Sequence, residues 1–127
     1  DGDYFGDSVQ PIVSAGLADM VGIDHQLCPE VRLEPTHGHT PGHVSVVINS
    51  QGEQAVITGD MIHNPLQIAL PALSCSLDTD METARVTRRA FLDRYADGRT
   101  LVIGTHFGSP TAGMLSAVGE DSWRLDC

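Results

Sequence analysis

A chain of 127 residues, 41% hydrophobic and 19% charged, is sized for a single domain with a real core. Its seven arginines, its lack of lysine and its net charge of −10 leave no basic face for a phosphate backbone, which argues against nucleic acid as a partner. No apolar run reaches the roughly 18 to 20 residues of a membrane span, which argues against a membrane; that no charged-then-apolar leader is present proves little.

A start at Asp1 rather than Met makes the chain read as the middle of a longer protein, so the compartment stays open with the cytoplasm as default. Cys28, Cys75 and Cys127 are odd in number and far apart, pointing to reduced structural thiols rather than a disulfide framework or zinc knuckle.

Asp7 predicts an N-cap for a short helix to about Ala15, with Val9, Ile12 and Val13 on one side, an early Pro11, and Gly16 as the stop. Residues 17–21 read as one short strand, Cys28-Pro29-Glu30 as a turn, and residues 31–35 as a half-buried strand that alternates apolar and polar. The β-branched runs 44–49 and 55–58, around Ser50-Gln51-Gly52-Glu53, predict a hairpin. Residues 59–75, with Pro65 and Pro71, read as a long ordered loop or a broken helix.

Thr79-Asp80-Met81-Glu82 has the form of a capping box. It opens a helix with Met81, Ala84, Arg88, Phe91 and Tyr95 on one face, and Gly98 ends that helix. Residues 100–104 are a short apolar run suited to a buried strand, and 113–118 with 122–125 form a closing hairpin around Gly119-Glu120-Asp121. No repeat or linker interrupts, so residues 1–127 read as one domain.

Three of the six histidines, His37, His39 and His43, fall within seven residues between two predicted strands, where a loop held by a rigid scaffold can aim side chains at a ligand. Asp60 and His106 each follow directly on another predicted strand. If those strands are neighbours, His39, Asp60 and His106 emerge at one edge of a sheet, and two imidazoles with one carboxylate are a partial donor set for zinc, manganese or iron.

The order Gly38-His39-Thr40-Pro41-Gly42-His43, hairpin, Thr58-Gly59-Asp60, helix, strand, Gly104-Thr105-His106 resembles the later motifs of the metallo-β-lactamase superfamily. Gly59-Asp60-Met61-Ile62-His63 and the helix after it look most like the branch holding methyl-parathion-type organophosphate hydrolases and lactonases. The resemblance implies an α/β (α+β) architecture, a mixed sheet flanked by helices, as the C-terminal half of an αββα sandwich. It makes His39 a terminal ligand of one metal, Asp60 the bridge between two, and His106 a ligand of the second. It also implies hydrolysis of an ester, lactone, lactam, thioester or phosphotriester through a hydroxide shared by two zinc ions.

His63, three residues after Asp60, is a candidate to orient a small-molecule substrate or protonate its leaving group. His37 and His43 have no ligand role in the pattern and fit hydrogen-bonding support for the loop, with Pro41 and Gly42 shaping its turn. A different reading makes His37, His39 and His43 a metal site of their own. His25 is expected on the surface, and the arginine-bearing helix face (Arg85, Arg88, Arg89) in solvent or paired with acids.

The superfamily's first signature, His-x-His-x-Asp-His, does not occur in these 127 residues; Pro41 and Gly42 stand where Asp and His would be needed. The expectation is therefore a chain that is inactive alone, whose sheet exposes an apolar inner face. A missing N-terminal half or a second copy in a homodimer would cover that face. The alternative is a non-catalytic half-domain, stabilised by dimerisation, with weak or no metal binding.

Overall fold

A computed structural model describes residues 3–127. Seven strands lie in one sheet in sequence order: β1 (Gln26–Cys28), β2 (Val31–Pro35), β3 (Val44–Ser50), β4 (Glu53–Ile57), β5 (Asp97–Ile103), β6 (Ala112–Gly119) and β7 (Ser122–Asp126). Every neighbouring pair is antiparallel except β4 and β5, which run parallel. A parallel pair needs a crossover, supplied here by a 3₁₀ turn (Gly59–Met61) and two α-helices (Leu66–Ala69 and Met81–Tyr95). With Gln10–Ser14 as α1, these two helices are α2 and α3.

The β3–β4 turn uses Gln51 and Gly52, both at positive φ (53° and 84°), as a tight hairpin requires. Val47, Val56 and Val102 are register partners across β3, β4 and β5. With Leu115 and Trp123 they meet Phe91, Leu92 and Tyr95 of α3, and with Met61, Ile62, Ile68 and Phe107 they form the core. The opposite face is also apolar. Val46, Ile57 and Ile103 form one register row and Ile48, Ala55, Leu101 and Met114 the next. These residues are only partly buried, and Met114 is exposed.

The hairpin of β3 and β4, the α3 helix, the fifth strand and the closing hairpin stand where the sequence predicts them. Several expectations need correction. Residues 17–21 form no strand; the first strand is Gln26–Cys28, where Gln26 donates its side-chain amide to the carbonyls of Cys28 and Val31. The first helix is π-helical over Phe5–Val9 before α1, and Asp7 lies inside it rather than at its cap; Asp3 instead accepts the backbone N–H of Gly6.

Asp80, not Thr79, caps α3 by accepting from the N–H groups of Glu82 and Thr83. Of the predicted face Met81, Ala84, Arg88, Phe91 and Tyr95, only Met81, in the first turn of the helix, comes out exposed, and Arg88 is buried completely with the rest. Apart from Gly6, every residue from 3 to 30 is exposed, because among the described residues no helix or strand packs over that segment. Among the described residues no helix is long and apolar enough to cross a membrane.

Candidate metal centre

Three connections converge at one edge of the sheet. The β2–β3 loop carries His39 and His43, the 3₁₀ turn after β4 carries Asp60 with His63 just beyond it, and the segment after β5 carries His106. Because β4 and β5 are parallel, Asp60 and His106 leave adjacent strand ends pointing the same way. The two oxygens of Asp60 face different imidazoles. Oδ1 is 2.8 Å from His106 Nε2, and Oδ2 is 3.4 Å from His39 Nε2. His63 lies between them, its ring centroid 5.0 Å from that of His39 and stacked 4.9 Å from that of His106.

Two triads have donor atoms within 4.8 Å of one another: Asp60, His63 and His106, and His39, His63 and Asp78. Neither contains His37 or His43, so the structure does not gather His37, His39 and His43 into one site. His43 is engaged elsewhere. Its Nε2 accepts the backbone N–H of Asp60 at 2.9 Å, which places the proton of a neutral ring on Nδ1, 3.0 Å from the Thr36 carbonyl and 2.8 Å from the Thr36 hydroxyl. It therefore holds the backbone of Asp60 and leaves that carboxylate free.

Gly59 makes this contact possible, since it has φ +57° and a Cβ there would stand 2.7 Å from His43 Nε2. The His39 loop is fixed against the start of α3: Thr79 N–H donates to the His39 carbonyl at 3.0 Å and Asp80 N–H to the Gly38 carbonyl at 2.9 Å. Gly38, at φ +126°, lies so close that a Cβ would collide with the backbone of Ala84. The turn's conformational demand thus falls on Gly38, whereas Gly42 faces open space.

Asp78 and Arg88 are functional candidates that sequence reasoning passes over. The capping-box pattern points to Thr79 and Glu82. Asp78, in the turn just before, is buried with Oδ1 3.1 Å from His39 Nδ1. Arg88 is not a solvated face residue. It donates to the carbonyls of Met61, Pro71 and Leu73 and lies 3.8 Å from Asp78. Gln67 is also buried, accepting the N–H of His63 and donating to the Leu73 carbonyl.

Arg85 and Arg89 behave as expected, pairing with Glu82 and with Asp93 and Asp121. His25 is exposed, and the three cysteines are free.

Burial alone would raise the Asp60 pKa, but the hydrogen bond from His106 and the nearby His106, His39 and His63 outweigh it, so the carboxyl is held below its ordinary value. Burial lowers His43, against the opposing pull of the Thr36 carbonyl, and also lowers His63, where His39 and His106 add to the effect. The centre thus offers an ionised carboxylate beside a His63 that favours the neutral form, the protonation state metal ligands require. A carboxylate whose oxygens face two separate ring nitrogens fits a bridging position, and the buried, unpartnered Nδ1 of His63 is a further polar atom at the same place.

A mixed seven-stranded sheet with one parallel junction and its helices in the crossover defines an α/β class of fold. A sequence profile of the metallo-beta-lactamase superfamily matches residues 3–106, and the chain belongs to that superfamily. The hydrolase AbOPH of the beta lactamase superfamily superposes with a TM-score of 0.84 at 22% identity, over 94% of this chain and 42% of its own. AidC, a dizinc quorum-quenching lactonase, superposes with a TM-score of 0.79 at 23% identity, over 97% of this chain and 44% of its own. An N-acyl homoserine lactone hydrolase with a bound product at its catalytic metal centre gives 0.58 at 21% identity, over 69% and 34%. The chain therefore spans less than half the length of these solved structures. No curated protein matches it.

Proposed function

We propose that the chain is the C-terminal part of a metal-dependent hydrolase, with His39 and His106 as terminal ligands and Asp60 as the bridge between two zinc ions; manganese or iron would suit the same donors. The observation that carries this reading is the Asp60 carboxylate, with Oδ1 turned to His106 and Oδ2 to His39. A pair of divalent cations there would supply the charge that activates water and polarises the bond under attack.

The chain's own residues do the rest. Asp60 stays ionised, and His43 fixes its backbone. His63, kept neutral by burial and by its histidine neighbours, is placed to donate a hydrogen bond that orients a substrate oxygen. The superfamily fold shared with a dizinc lactonase and a homoserine lactone hydrolase supports a lactone or other activated ester as the first substrate class to examine, ahead of lactams, thioesters and phosphotriesters.

His39, Asp60 and His106, even with His63, are too few donors for two four-coordinate ions. We infer that the remaining ligands come from further chain, an N-terminal half or a second copy, seated on the open sheet face. The half-exposed rows on that face also support a second reading, a half-domain that dimerises without catalysis.

Elemental analysis, light-scattering mass and assays on lactones, esters and phosphotriesters separate the two. Asp60→Ala is expected to lower zinc affinity by at least about a hundredfold, since outer support of a ligand alone is worth about 10- to 100-fold. Addition of the N-terminal half is expected to bring hydrolysis. A metal-free oligomer that stays inactive with that half added overturns the catalytic reading.

A further inference from the structure

We propose that Asp78 is a positioning residue for His39, holding its imidazole in the tautomer that leaves Nε2 unprotonated, and that Arg88 locks Asp78 in that task. The role in metal binding rests on the reading of His39 as a ligand; the tautomer does not. Asp78 Oδ1 is 3.1 Å from His39 Nδ1, while Nε2 of the same ring faces Asp60. Carboxylate oxygens accept hydrogen bonds, and of the two that face this ring Asp78 is at hydrogen-bond distance while Asp60 Oδ2 stands 3.4 Å off, so the proton sits on Nδ1. A metal-ligating histidine is commonly oriented this way, by a carboxylate on its other nitrogen.

The second oxygen shows why the arrangement has one orientation. Oδ2 accepts the backbone N–H of Cys75 at 3.2 Å and lies 3.8 Å from Arg88 Nη2, which has no hydrogen-bond partner of its own. Both neighbours of Oδ2 are donors. The Arg88 side chain is wholly buried, and its remaining bonds go to the carbonyls of Met61, Pro71 and Leu73. One guanidinium thus ties the carboxylate behind His39 to the segment that carries Asp60 and His63. A buried arginine is costly unless paired, and here its only acidic neighbour among the described residues is Asp78.

Asp78→Asn tests the idea with almost no change of shape. The amide oxygen must turn toward the Cys75 N–H and Arg88, because two donors cannot face each other. The NH₂ group then meets His39 Nδ1 and drives the proton to Nε2, the nitrogen turned toward Asp60.

Long-range ¹H–¹⁵N spectra of imidazoles in the metal-free chain, recorded above the ordinary imidazole pKa, are expected to show His39 as the Nδ1–H tautomer in the parent and Nε2–H in Asp78→Asn. Competition with a chelator should then show zinc affinity lower by about 10- to 100-fold, with Asp78→Glu recovering part of the loss. An Nε2–H tautomer in the parent overturns the proposal, as does a folded Asp78→Asn with unchanged tautomer and affinity. Because the parent spectrum alone decides the first point, the test survives a variant that fails to fold. A chain that shows both tautomers as expected but binds no zinc supports the positioning role and overturns the metal reading instead.

Discussion

The two faces of the sheet are built from nearly the same side chains and sit in different surroundings. Val47, Val56, Val102 and Leu115 are shut off from water beneath α3. One residue along, Val46, Ile57, Leu101 and Ile103 stay partly exposed. Strands that are apolar at both odd and even positions are the pattern of a sheet covered on both sides, so the open face carries a surface composed for burial. The segment before β1 has the same character: Tyr4, Phe5, Leu17 and Met20 are among its exposed apolar side chains. The centre lies at one edge of this sheet, and the loop that carries His39 is fixed against the start of α3.

The contrast is sharpest in stability. Leu115→Ala, on the packed face, is expected to cost about 2–5 kcal/mol in urea unfolding, against about 1 kcal/mol or less for Leu101→Ala on the open face. Equal costs would mean that a second copy already covers the open face in solution.

The same asymmetry applies to two glycines of one loop. Gly38→Ala meets the Ala84 backbone at a positive φ, with an expected cost of about 1–3 kcal/mol and a loss of zinc affinity. Gly42→Ala should stay within about 0.5 kcal/mol. A neutral Gly38→Ala would show that the loop does not need its contact with α3.

Acid should act through the supported edge. His43 and His63 lie below the ordinary 6.5 in the fold, so the stability they contribute is complete above that value and declines as the pH falls toward their depressed values. Asp60, depressed from 3.8, adds a further loss below that pH. Thermal unfolding midpoints of the metal-free chain should therefore drop on acidification from pH 7.5 to 5, and His43→Gln should flatten the slope. A slope unchanged by that substitution would remove His43 from the account. The smallest effect belongs to the uncovered segment: Ile12→Ser should change stability by less than about 0.5 kcal/mol, rising only once further chain packs there.

Much of this was legible in the residues. The runs around Gln51-Gly52 could only be a hairpin, and the spacing of His39, Asp60 and His106 behind predicted strands foretold their meeting at one edge. Less legible was whatever depends on contacts between segments far apart in the chain. Thr79 and Asp80 are both good caps, with nothing local to choose between them, and neither the meeting of Asp78 with His39 nor the bonds of Arg88 to the carbonyls of Met61, Pro71 and Leu73 leaves a local mark. Residues 17–21 looked like a strand because they are apolar, but apolar residues become a strand only with a neighbour to pair with, and the described chain gives them none. His43 was legible as support for its loop; that its partner would be the backbone of Asp60, seventeen residues on, is a matter of tertiary packing.

The parallel junction of β4 and β5 sets the distance between Asp60 and His106 by strand spacing, independently of the length of what runs between them. The exposed connections of the crossover can lengthen or change composition while both donors keep their places, provided that the buried residues of α3 and the tether at Arg88 remain. Closing a longer loop costs little, so this stretch is where a lineage could remodel what the centre accepts without rebuilding the centre, and where a designer would begin.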